Sequence, residues 1–373
     1  MKHQYKLYGV QVSLFVGKLR GYLNYKGLDY QEKAPTIYDL LRRFPKKVGG
    51  AFVPVVETRE SEWLSDTTEI IEELETRHPT PSIRPLSPRQ AIAANLFEAW
   101  CDDVWHPVAL HTRWSFPENY PLFQSEIGGG FLPYAPRFLQ NWAVDKTSAA
   151  QMRSALPNMG VVPEQVDLLE RWIHNMLDML ELHFSQHDYL FGGRPTIADY
   201  SLLGPLYVHL SLDPWPKREL IAPRPHLKAY IERLHRGDCP VSGASGELLP
   251  DDVIPDTLLP VFDVIFCEFY PLLAKTVESV NELIKNKDLR AGDQMPRTFK
   301  RISFPMGDAE YTRGAFSYAL WMMQRIQKQL RAMPEHERTS VAEWFEGRGQ
   351  DDLLEMNFGP ALERAGLTVR LVN

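Results

Sequence analysis

Hydroxyl, carboxyl and basic side chains fit for ligand chemistry stand close to helix starts and strand ends early in the chain. In YGVQVSLFVGKLRGYL, residues 8 to 23, a single hydroxyl, Ser13, stands where a short apolar strand runs into a helix. Asp66 and Thr67 open a second helix, TTEIIEELE, directly after the strand-like EWLS. A helix N-terminus offers free N–H groups and partial positive charge, which suit a carboxylate or another anion. Serine and aspartate are also ordinary helix caps, so both readings stand at each position. Val53-Pro54-Val55 places a proline inside a strand-like run. X-Pro is the one bond at which a cis peptide is cheap, and a proline on an edge strand is the alternative. Just before it, RRFPKKVGG carries Arg42, Arg43, Lys46 and Lys47, either an anion-binding group or a solvated charge run.

Other reactive residue types are scattered. FEAWCDDVWHPVALHTRW concentrates Trp100, Trp105, His106, His111 and Trp114, an aromatic set that suits either a pocket for a flat apolar ligand or a packed core. His183 and His187 form H-x-x-x-H without the glutamate of a metalloprotease helix. Cys101, Cys239 and Cys267 stand alone, with no C-x-x-C. That spacing argues against a disulfide scaffold, a metal site and a dithiol redox centre, and points to buried thiols in a reducing compartment.

The elements that must position these residues follow from periodicity. Over residues 5 to 80, YKLYG, SLFVGKLRGYLNYKG, DYQEKA, TIYDLLRRF, AFVPVVET, EWLS and DTTEIIEELETRH predict the order βαβαββα, the last two strands forming an antiparallel hairpin. Phe15, Leu19, Tyr22 and Leu23 share one face of the first helix, and Gly27 is placed to stop it. TRHPTPSIRPLSP, residues 76 to 88, reads as a linker. Long amphipathic stretches then predict helices over 88–115, 163–186, 196–211 and 225–236, with Thr196 and Asp199 spaced as a capping pair. From Ser242 a third regime predicts a helix near 256–286, a looser basic segment, and a helix from about Asp308 to Ala332.

With 373 residues and 44% hydrophobic content, the chain has material for more than one core. A net charge of −7 gives no broad basic surface for nucleic acid or anionic lipid. The most apolar run, residues 258 to 274, is interrupted by Pro260, Asp263, Glu268 and Pro271, so a buried helix of a soluble protein is expected there. No signal peptide is expected, which suggests a cytoplasmic location.

The βαβαββα unit, the V-P-V strand, the acid–hydroxyl pair and the T-x-x-D box of the helical region together resemble the glutathione S-transferase family, over residues 5 to 240 or about two thirds of the chain. The resemblance implies an α+β fold. A thioredoxin-like glutathione-binding domain over 1–80 precedes an all-helical domain over 88–241, and residues 242–373 add a helical extension. SLFVGKLR is similar to the S-P-Y-x-x-K-V-R pattern of many bacterial members, which makes Ser13 the candidate hydroxyl for activating the glutathione thiol. Leu14 replaces the usual proline and Gly17 a usual basic residue. Only the thiolate attacks. Each pKa unit of lowering needs roughly 1.4 kcal/mol of preferential stabilisation, and one charge-assisted hydrogen bond suffices for one or two units. Tyr5 and Tyr8 are fallback phenols, and a serine that only caps its helix is the alternative.

The resemblance further implies that the backbone of Val53, ahead of Pro54, pairs with the cysteinyl part of glutathione. Asp66 and Thr67, where the family usually has Glu-Ser, receive the γ-glutamyl end, and Lys46 or Lys47 meets the glycine carboxylate. Phe15, Trp105, His106 and Trp114 are the expected walls of the electrophile pocket. Glutathione is then a cosubstrate, the second substrate a hydrophobic electrophile, and the assembly a homodimer without metal, nucleic acid or membrane. Conjugation, isomerisation or reduction all fit. A non-catalytic module of the same fold, used in regulation or assembly, is the alternative function. Since Leu259, Phe262, Phe266, Phe269 and Leu273 form an apolar stripe, and Trp321, Met322, Met323 and Ile326 a second apolar cluster, the extension is expected to pack on the helical region.

Overall fold

The computed structural model describes residues 3–238, 246–350 and 355–372. Cys239 and the expected boundary at Ser242 lie outside them. The chain divides into two compact units. One comprises Met1–Ile83, His106–Pro157 and Asp199–Val241, the other Arg84–Trp105, Asn158–Ala198 and Ser242–Asn373.

The first unit opens with the expected βαβαββα order. Strands β1 (Tyr5–Tyr8), β2 (Tyr30–Lys33), β3 (Val55–Thr58) and β4 (Trp63–Ser65) form a sheet in the order β2-β1-β3-β4. β1 and β2 are parallel, while β3 runs antiparallel to both β1 and β4. Helix α1 (Leu14–Tyr25) connects β1 to β2, and Leu19, Tyr22 and Leu23 are fully buried. Gly27 ends it in the left-handed region at φ 61°, with the Leu28 amide reaching back to the Leu23 carbonyl, a backbone geometry that glycine alone adopts without cost. The second crossover is less regular than its sequence suggests. Thr36 and Asp39 cap each other, a π-helical turn follows over Asp39–Arg43, and α2 (Phe44–Val48) completes it. Helix α3 (Thr67–Arg77) closes the motif.

Helix α4 (Pro88–Trp114) agrees with the expected 88–115. Helices α5 (Tyr120–Phe131), α6 (Arg137–Lys146) and α7 (Ser148–Ala155) are additions to the sequence reading. Three successive glycines near the end of α5 and short amphipathic runs in the others leave weak periodic signals. Helices α8 (Pro163–Phe184), α9 (Ile197–Pro205) and Pro225–Arg236 lie within the predicted spans, a π-helical turn over Leu206–Ser211 extending α9. Beneath the Val10–Val12 loop of the first unit, Phe123, Ile127, Val144 and Ala149 form a small core, with Trp114 and Tyr120 packed against it.

In the second unit a helical run, Asp256–Lys287, is long and apolar enough to cross a membrane by composition. Its stripe is covered within the protein: Phe262 packs on Phe97 and Trp344, Phe266 on Phe345, and Trp172 of α8 donates to Glu268 at 2.8 Å. Trp321, Met322, Met323 and Ile326 on helix Tyr318–Ala332 are buried as well.

The extension is not wholly helical. β5 (Arg301–Met306) and β6 (Ala309–Gly314) form a hairpin where a helix from Asp308 was expected, and that helix begins only at Tyr318. Ile302, Phe304 and Met306 alternate inward along β5, a period-2 pattern obscured by its short length and by Pro305. A second hairpin, β7 (Leu362–Ala365) and β8 (Thr368–Leu371), lies in the charged final segment.

Candidate active site

Strand register determines which residues meet. Tyr8 at the C-terminal end of β1 pairs with Val55 at the start of β3, and Val55 pairs with Ser65 at the end of β4. The residues just beyond these ends therefore emerge at one end of the strands: the loop to Ser13, the Val53-Pro54 bond and Asp66. Helices α1 and α3 both begin there, so two positive helix ends face the same region.

Ser13 occupies the N-cap position of α1 with φ −98° and ψ 124°, and its hydroxyl makes no capping hydrogen bond. Its backbone is engaged at both ends, the amide donating to Val10 O at 3.1 Å and the carbonyl accepting from Gly17 at 2.9 Å. The side chain is half-buried. Neither tyrosine offers the same service. Tyr5 places its hydroxyl 2.7 Å from His78 Nε2. Tyr8 donates to Glu57 at 3.1 Å while Arg43 donates to it at 3.2 Å. Burial, reinforced by the Glu57 carboxylate, pushes the Tyr8 phenol up to about 12.

Gly17 of the SLFVGKLR stretch has a packing reason. A Cβ there would lie 2.3 Å from Val208 Cγ2, so α1 and the 206–211 turn leave no room for a side chain. Two basic residues of the SLFVGKLR pattern are present but buried: Lys18 is fully enclosed, and Arg20 forks onto both oxygens of Glu32 at 2.7 Å.

The Val53-Pro54 peptide is cis. Val53 packs on the cluster of Tyr8, Phe44, Phe52 and Val55. Asp66 is the N-cap of α3 at φ 73°, its Oδ1 accepting from the amides of Thr68 at 3.1 Å and Glu69 at 3.2 Å. Thr67 is buried in the first turn. Lys46 and Lys47 are exposed at the end of α2, with the Lys47 ammonium 5.8 Å from the centre of the Trp63 ring.

The aromatic candidates separate. Phe15 is half-buried with its ring 5.5 Å from that of His106. Trp114 is partly exposed and packs edge-on against Phe123 at 4.8 Å. Trp105, expected in the pocket wall, is instead core: it is fully buried in the second unit, packed against Trp100 at 6.1 Å and Trp172 at 5.8 Å. Trp100 belongs to the same cluster.

Arg113 carries no signal in the sequence that marks it for this region. Its guanidinium is buried at the end of α4, pairs with Asp213 at 2.8 Å, and donates to Val12 O at 2.6 Å and Val208 O at 2.9 Å. Burial pulls the arginine down and pushes the aspartate up against their mutual attraction. The partners are 100 residues apart in sequence, so no local pattern announces the pair. His209, also buried nearby, stays neutral because burial and then the Arg113 charge hold it well below the usual histidine range.

Residues 7–82 match the family model described as glutathione S-transferase, N-terminal domain, and residues 163–233 the one described as glutathione S-transferase, C-terminal domain. Similar solved structures include a glutathione S-transferase from Methylobacterium radiotolerans in complex with glutathione sulfonate, 20% identical, covering 66% of this chain and 99% of that one at a TM-score of 0.39. A beta-etherase from Sphingobium sp. strain SYK-6 is 18% identical over 62% of this chain and 94% of its own, at 0.40. A GST-like protein from Pseudomonas syringae is 17% identical over 84% and 96%, at 0.42. No curated protein matches the chain.

Proposed function

We propose, for a chain that belongs to the glutathione S-transferase family, that it binds glutathione at the strand ends from which Ser13, Val53 and Asp66 emerge and holds the thiol as thiolate with the Ser13 hydroxyl for attack on a hydrophobic electrophile. The observation that carries this reading is that Ser13 stands at a helix N-terminus with its hydroxyl unused as a cap, while the hydroxyls of Tyr5 and Tyr8 are both engaged. The hydroxyl donates to sulfur, and the α1 N-terminus adds favourable potential for the negative charge.

The remaining roles are part of the same reading. Val53, ahead of the cis bond, offers its backbone to the cysteinyl amide. The first turn of α3 meets the γ-glutamyl carboxylate with N–H groups and the Thr67 hydroxyl, and Asp66 meets the ammonium while it caps. Lys46 or Lys47 neutralises the glycine carboxylate. Phe15, His106 and Trp114 offer aromatic surface to the electrophile, so a flat apolar compound is the substrate class. The same reading places the protein in the cytoplasm as a homodimer.

Titration calorimetry with glutathione tests this reading. Saturable binding at or below millimolar concentration is expected. A folded protein that gives no heat at several millimolar would identify a non-catalytic module of this fold instead.

A further inference from the structure

We propose that Arg113 is the positioning residue for Ser13, fixing the peptide plane from which the serine projects. The inference rests on the reading of Ser13 as the thiolate's hydrogen-bond donor. Arg113 leaves the last turn of α4 and fans its N–H groups onto three residues in two stretches of the first unit, Val12 before α1 and the 208–213 run. Nη1 reaches Val12 O at 2.6 Å, Nη2 reaches Val208 O at 2.9 Å, and Nε with Nη2 grips Asp213 at 2.8 and 3.3 Å. Val12 is the residue before Ser13, and it is 3% exposed.

The geometry has a direct mechanical meaning. The Val12 carbonyl and the Ser13 amide belong to one planar unit, so holding that oxygen orients the plane. The same plane is tied through its amide to Val10 O, and the carbonyl of Ser13 anchors the first turn of α1. With both flanking peptides fixed, the hydroxyl oxygen is left only the staggered positions about the Cα–Cβ bond, and its hydrogen turns about Cβ–Oγ to meet the acceptor. A donor that must meet a developing anion gains most when it is held in place beforehand.

Packing alone does not account for this choice of residue. A buried ion pair is costly to desolvate, and apolar side chains of similar volume often replace such pairs without loss of stability. What apolar side chains lack is a rigid fork with donors in several directions, and lysine lacks it too. Asp213 aims that fork from Nε and Nη2 and leaves Nη1 for Val12.

The test is the pKa of the bound glutathione thiol, read by ultraviolet absorbance of the thiolate, in Ser13→Ala, Arg113→Met, Arg113→Lys and the Ser13→Ala/Arg113→Met double variant. Arg113→Met and Arg113→Lys are each expected to raise the thiol pKa by about half a unit to one unit, part of the shift in Ser13→Ala, with glutathione affinity within about threefold of the parent. The double variant is expected to match Ser13→Ala, because the arginine acts through the serine. If Ser13→Ala raises the pKa while the arginine variants do not, positioning is overturned and the serine reading stands. If the effects add, Arg113 acts by its own charge and positioning is again overturned. If Ser13→Ala changes nothing, the serine reading falls and takes this inference with it. Should Arg113→Met not fold, Arg113→Lys, which keeps the charge but not the fork, and Asp213→Asn decide the same question.

Discussion

At the scale of single residues, Asp66 separates two roles that its position combines. It accepts two amides of α3 at a left-handed backbone angle, which is structural, and the proposal adds contact with the ligand ammonium. Asparagine keeps the cap and tolerates φ above zero, but it carries no charge. Asp66→Asn is therefore expected to leave thermal stability near that of the parent while weakening glutathione binding by about 1.5 to 3 kcal/mol. Asp66→Ala should lose about 1 kcal/mol of stability as well. Calorimetry on the folded Asn variant decides the matter, and unchanged affinity would leave Asp66 as a cap only. Asp66 and the cis bond at Pro54 were legible because each is a local pattern with a local cause. Arg113 was not, since its partners are distributed over Val12, Val208 and Asp213 and meet only after folding.

At the scale of elements, the βαβαββα order and the long helices were readable from periodicity. The hairpins of the extension were not, because strands of four to six residues carry too few alternations to stand out from charged loops. The apolar stripe of the Asp256–Lys287 run did reveal that something must cover it, and within the second unit α8 contributes to that cover. His183 of α8 sits at this contact, its Nδ1 2.8 Å from Thr257 Oγ1 and its side chain fully buried. Burial, and then the neighbouring His187, pulls it down to about 3. The unfolded chain takes up a proton near pH 6.5 that the folded protein refuses until about 3. The contribution of His183 to stability is therefore fully present well above pH 6.5 and is lost as the pH falls toward 3, by at most about 1.4 kcal/mol per unit. Denaturant midpoints from pH 7.5 to 4 should show a shallower acid limb in His183→Gln than in the parent. Parallel curves would remove His183 as the cause.

At the scale of the whole molecule, residues beyond 245 are bound into a core with Phe97 and Trp172, segments that precede them by well over 50 residues. Phe262, Phe269, Leu273 and Leu320 are fully buried in that unit, so removing the extension strips one side of it. Truncation after Ser242 is expected to lower the melting temperature markedly or to give an aggregating product. An unchanged melting temperature would show instead that the extension folds independently. Met322 and Met323, at 3% and 2% exposure, are packed inside this core, which makes the extension a buttress of its own unit.

If glutathione becomes a nucleophile through Ser13, the ionisation of the bound thiol must change with it. Thiolate absorbance titrated against pH on the folded, glutathione-loaded protein should give a thiol pKa one to two units below that of free glutathione, about 1.4 to 3 kcal/mol of preferential binding of the anion. Ser13→Ala should return most of that shift while retaining glutathione. A bound thiol that ionises in the parent protein at the pH of the free tripeptide would rule out thiol activation by Ser13.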